Sequence, residues 1–310
     1  MYYTSGFWKR RARAALQNHW LTALLIALIV SLPSLLAQTA AAVTENDLLG
    51  RLQELMLSSV SVGGNAVDLN RFQTGLEAIR GSTGIWVMQG LYLAAWLLTP
   101  CLTLGQVAWL LGRLRGQEDP GFTGVFSRMK LFFRGILLRL YVALRMLLLM
   151  LPGIVLAAAA MLPLWLNDGS SRISLLSAAN TAIGLEYAAM IATAVLGVVA
   201  ALRYALSDMC LADHPDWGAV QAAKESRRLT QGKKGQLFGL YASFILWYLL
   251  GTMAASVCHD MFGPVPSLMV QMLASLALSV YLTASVCAFY QGQTEPENAG
   301  AEEETEELNG

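Results

Sequence analysis

Glu186 is the residue best placed to act on a cation. It lies about one turn inside an apolar stretch, where a charge at the membrane centre costs about 2.5–3.5 kcal/mol on insertion scales. Cation binding or proton exchange would justify that cost. So would a reach to the interface or a meeting with Arg172, and this structural explanation is the one favoured. Cys258-His259-Asp260 puts three metal-capable side chains in a row. Consecutive residues rarely converge on one ion, and the sequence holds no second cluster to complete a site. His19 and His214 fall near span ends or in loops. There is no HExxH, GxSxG, Walker or Rossmann glycine pattern. The residues therefore predict no enzyme, no cofactor and no metal.

The elements that must carry these residues are set by composition. Of 310 residues, 55% are apolar and 14% charged, and mean hydropathy is +0.50. A soluble domain has about 25% charged residues. A soluble enzyme, a disordered chain and a nucleic-acid binder are excluded as leading readings. An all-α polytopic membrane protein remains. A core of about 30 Å needs roughly 20 apolar residues as a helix. Six stretches qualify: Trp20–Val43, Ile85–Leu111, Ile136–Leu166, Ile183–Leu206, Leu237–Cys258 and Ser267–Phe289. The third is too long for one upright span. Arg139 and Arg145 suggest that its first turns lie at the interface, with the span over Met146–Leu166.

Net charge is zero, from 21 basic and 21 acidic residues. Seven glutamates crowd into residues 295–310, so the body through residue 294 carries +7. The expected organisation is a membrane domain, 1–292, and an acidic disordered tail, 293–310. The N-terminus and the connections 112–135 and 207–236, with Arg203 at the adjoining helix end, hold fifteen Lys and Arg; the opposite side holds four. The positive-inside rule then places both termini in the cytoplasm of a bacterial inner membrane. A basic start, an apolar run and small residues at Ala37–Ala42 imitate a secretory signal. The run is long for one, so the first span is expected to be retained.

Loop patterns predict surface helices. In the outer connection, 44–83, Leu48, Leu52, Leu55 and Met56 form one apolar stripe. Leu69, Phe72, Leu76 and Ile79 form another, with Gly63-Gly64-Asn65 between. Phe122, Val125, Phe126, Met129 and Phe133, edged by Arg128, Lys130 and Arg134, read as a helix in the headgroup plane among anionic lipids. In 207–236, Asp213 is expected to cap a helix whose first turn holds Pro215 and which Gly232 ends. Its face of Ala219, Ala222, Ala223 and Ser226 predicts close packing on this chain or on a partner. Gly235 and Gly239 form a weak GxxxG packing signal. Pro33, Pro100, Pro152 and Pro163 fall within spans and tend to kink them. Basic segments before the first, third and fifth spans suggest three repeats, each an interfacial helix plus a hairpin.

One string is recognisable: Tyr204, Leu211-Ala212-Asp213, Pro215, Ala222, Ser226-Arg227, Gly232, Lys234, Leu237-Phe238, Ser243-Phe244, Trp247 and Phe289-Tyr290. With Ala12, Ala15, Leu16, Asn18 and Trp20, it resembles the bacterial membrane family catalogued as domain-of-unknown-function family 975. Val280 stands where that family's pattern has proline. The resemblance implies a polytopic bacterial membrane protein and transfers no catalytic residue. It makes Asp213, Pro215, Ser226, Arg227, Gly232, Lys234 and Trp247 the interaction candidates, with Glu186 the candidate intramembrane polar site.

The expected function is a non-enzymatic accessory or scaffold protein. Its expected partners are the bilayer, its anionic headgroups and a protein on the cytoplasmic side, with no nucleic acid. A small permease or channel is the alternative, and a membrane-embedded enzyme the third. The sequence leaves the oligomeric state open.

Overall fold

The computed structural model describes residues 4–59, 73, 74, 77, 83–117, 121–160 and 172–294, apart from the side chains of some residues within its helices. Among them the protein is helical, with no strand. We label α1 (Ser5–Leu16), α2 (Trp20–Ser59), α3 (Thr83–Leu114), a 3₁₀ helix (Gly121–Leu131), α4 (Phe132–Ala160), α5 (Arg172–Tyr204), α6 (Ser207–Asp213), α7 (Ala219–Leu229), α8 (Lys234–Phe262) and α9 (Pro264–Thr294). Six helical stretches among the described residues are long and apolar enough to cross a membrane. Helices are what such composition allows, because each satisfies its backbone hydrogen bonds within itself.

The long helices pair most extensively as hairpins, α2 with α3, α4 with α5, and α8 with α9. A short helical segment precedes each: α1, the 3₁₀ helix, and α6 with α7. All three short segments lie at one end of the bundle, here called the basic end. The buried core gathers there. Trp8, Leu16, Leu104, Leu110, Val125, Leu206, Leu211, Phe244 and Phe289 are almost wholly enclosed. Towards the far end the same helices expose Met253, Val257, Met261, Phe262, Val265 and Leu268. Exposed apolar side chains along a span suit lipid, which gives them no reason to leave.

Several elements differ from expectation. The first span and the stripe after it form one helix: α2 runs unbroken to Ser59 and is about 60 Å long at ~1.5 Å per residue. No proline or glycine pair interrupts Thr44–Ser59, so the backbone goes on winding past the apolar run. The stripe from Leu69 and the Gly63-Gly64-Asn65 break lie outside the described residues, as do Pro163, Leu166 and the acidic tail. The third span is continuous with the turns before it, as α4 runs from Phe132 without a break. Arg145 on α4 turns back and donates to the Tyr141 hydroxyl at 3.1 Å, one turn nearer the basic end. That is the direction a snorkelling side chain takes.

The headgroup-plane helix is 3₁₀ through Leu131. Phe122, Phe126, Met129 and Phe133 are exposed, whereas Val125 is enclosed. The cause is Gly105. A Cβ there would stand 1.7 Å from the Val125 carbonyl oxygen, so glycine alone lets the two backbones meet. Gly235 and Gly239 have no such neighbour within 4 Å. Gly153, after Pro152, is a close helix contact instead: a Cβ there would meet Thr193 Oγ1 at 2.1 Å.

Candidate functional site

The basic end is built around Asp213. Arg115, just past α3, donates two hydrogen bonds to it, Nη1 to Oδ1 at 2.6 Å and Nη2 to Oδ2 at 2.9 Å. The Tyr290 hydroxyl of α9 donates to Oδ2 at 3.1 Å. Residues from the first hairpin, the connection before the third hairpin and the last helix thus meet on one carboxylate. Bidentate, charge-assisted bonds are the strong kind. Burial alone would raise the Asp213 carboxyl; the Arg115 and Tyr290 bonds outweigh it and hold the group below its ordinary value.

This geometry corrects the capping role expected of Asp213. It ends α6, and α7 begins at Ala219 after Gly218, with no side-chain cap bond. Arg115 offers the carboxylate a full positive charge, which a helix N-terminus cannot match. Pro215 lies in the turn between α6 and α7, where its carbonyl accepts a bond from Arg134 of α4. His214 stacks on Trp217 with ring centroids 4.1 Å apart. Gly232 has φ +79°, in the turn before α8 rather than at the end of α7.

Ser226 is the second anchor. Its hydroxyl donates to the Arg203 carbonyl at 3.0 Å and accepts from the Leu206 amide at 3.2 Å. It bridges the break between α5 and α6, where helix bonding lapses. Ala222, Ala223 and Ser226 are wholly enclosed, and α7 packs on α4, α5 and α6. The small-residue face is therefore used within this chain.

The N-terminal helix closes the other side. Trp8 packs edge-on against Phe289, centroids 5.5 Å apart. A Cβ on Gly292 would reach its ring at 2.3 Å. Lys9 lies 4.4 Å over the Phe244 ring and donates to the Ser243 carbonyl at 3.4 Å. Burial pulls its ammonium below the ordinary lysine value. The Tyr281 hydroxyl donates to the Lys9 carbonyl at 3.2 Å.

The structure thus brings together Asp213, Pro215 and Ser226 of the sequence candidates. Arg227 is exposed on α7, Lys234 opens α8, and Trp247 lies on an exposed face of α8. Glu186 is exposed on α5, about 27 Å from Tyr204 at ~1.5 Å per residue, and far from this cluster. The Arg172 side chain lies outside those described. Sequence reasoning missed Arg115, Trp8 and Lys9. Arg115 and Lys9 were counted only as orienting charges. The Phe289-Tyr290 pair that closes the family string was the signal that α9 joins the cluster.

Fold and site together define a multi-pass α-helical membrane protein with a knitted basic end. The chain belongs to the family described as "Protein of unknown function (DUF975)", whose model matches residues 1–297. No curated protein and no solved structure matches it.

Proposed function

We propose that this is a non-enzymatic accessory protein of the bacterial cytoplasmic membrane, with both termini in the cytoplasm. One observation carries the reading. The basic ends of all three hairpins are tied into one body through Asp213, Ser226 and Trp8, and the carboxylate that burial isolates most among the described residues, Asp208 of α6, lies at this same end with Arg139 as its counter-charge rather than midway along a span. A carrier coupled to ions needs titratable groups held at depth. A platform needs a rigid face in the cytoplasm, and the fifteen-to-four charge bias favours that side. The free face of α7, with Val220, Lys224 and Arg227 exposed, is the surface assigned to a protein partner. Its small-residue face is already taken by this chain.

The test is in-membrane crosslinking of the tagged full chain, followed by purification and mass spectrometry. A stoichiometric second protein, lost on reversing charge at Lys224 and Arg227, is expected. Recovery alone or as a homo-oligomer, with solute flux in liposomes, would overturn the proposal in favour of a small permease.

A further inference from the structure

A cavity of about 460 Å³ opens at the basic end between the last turns of α3 and the 3₁₀ helix. Trp109 and Gly112 line it on one side, and Thr123, Gly124, Ser127 and Arg128 on the other, with Gln117 between. We propose that this cavity binds the phosphate of a phosphodiester anion, in the first place a phospholipid headgroup.

Four observations support the assignment. Arg128 Nε is shielded from solvent and has no hydrogen-bond partner among the described residues. A guanidinium N–H left without an acceptor is costly, and a small turn of this side chain would bring it to an anion in the cavity. The donors are of the right kind, a guanidinium with two hydroxyls and an amide, and no carboxylate is among the described residues that line the cavity. The wall is preformed: the 3₁₀ backbone lies directly on Gly105, and Cys101 Sγ contacts the Arg128 carbonyl at 3.8 Å. Finally, Phe122, Phe126 and Met129 of the same 3₁₀ helix are exposed. A cationic, hydroxyl-lined hollow edged by apolar side chains fits a headgroup whose chains run along those rings.

The experiment is native mass spectrometry of the detergent-purified full chain. The probes are dioctanoyl phosphatidylglycerol, dioctanoyl phosphatidylcholine and chain-free glycerophosphoglycerol. Retention of the anionic lipid over the zwitterionic one by about fivefold is expected, the effect of one nearby cation. Arg128→Gln should abolish the preference and Arg128→Lys restore part of it. Thr123→Val with Ser127→Ala, which leaves the guanidinium in place, should weaken retention if Arg128→Gln fails to fold. Binding of the chain-free diester as tightly as the lipid would support the phosphate chemistry and assign a soluble source. Equal retention of both lipids, or no effect of Arg128→Gln, would overturn the proposal.

Discussion

The two ends of the same six long helices are built on different principles. At the basic end, side chains interlock: Trp8 against Phe289 and Gly292, Val125 against Gly105, and Asp213 between Arg115 and Tyr290. At the far end, Met253, Val257, Met261, Val265 and Leu268 point away from the protein. Both ends carry apolar side chains; the polar and aromatic contacts made at the basic end are what separate them. In a membrane, association of helices rests on close packing and hydrogen bonds rather than on water exclusion. The short segments α1, α6 and α7 supply both, and among the described residues such segments lie at the basic end.

The sharpest way to break this contrast is a matched pair of glycine substitutions. Gly105→Ala would drive a Cβ into the Val125 backbone, and we expect a loss of about 3 kcal/mol, seen as poor folded yield and a large fall in apparent Tm in detergent. Gly184→Ala, towards the far end, meets nothing within 4 Å and should leave Tm unchanged. Equal effects would refute the asymmetry.

A second pair compares tryptophans. Trp8 is 1% exposed and Trp247 56%. Trp8→Ala should cost about 3–5 kcal/mol, whereas Trp247→Ala should move apparent Tm little. Scanning fluorimetry of the two variants decides.

The Asp213 lock comes next. Removing one partner with Arg115→Gln should cost about 1–3 kcal/mol, because the other is left partly buried. The lock also sets a pH dependence. The folded-state carboxyl is held below the ordinary value of ~3.9, so its contribution is fully present above about pH 4 and is lost as pH falls through the folded value. A scan of apparent Tm from neutral pH downward should show this loss, and Asp213→Asn should remove that component.

The smallest effect is expected at Glu186. Exposed on α5 and remote from the cluster, it should tolerate Glu186→Gln with no change in Tm. A change in solute flux with Tm unaltered would instead point to the permease.

Much of this was legible from one sequence. Apolar runs alone locate the long helices, because nothing but a helix satisfies its backbone there. Composition also announced the surface segments before the first, third and fifth spans. Helix ends were less legible. Nothing in Thr44–Ser59 stops a helix, yet its polarity reads as a separate surface helix rather than a continuation of the span. The Asp213 assignment failed for a different reason. A capping residue and an ion-pairing residue look identical along the chain, and Arg115 lies 98 positions away. The small residues of α7 mark a packing face along the chain, but local spacing does not say which element packs on it.

By itself the sequence determined the class of molecule, the number of long apolar helices and the concentration of basic residues in alternate connections. These are properties of composition and local periodicity, which the chain carries wherever it folds. Only the tertiary structure decided that one end would be bound together by a buried aromatic, a bridging serine and a shared carboxylate. Those contacts join residues remote in sequence, and their strength depends on approach distances that only the assembled backbone sets.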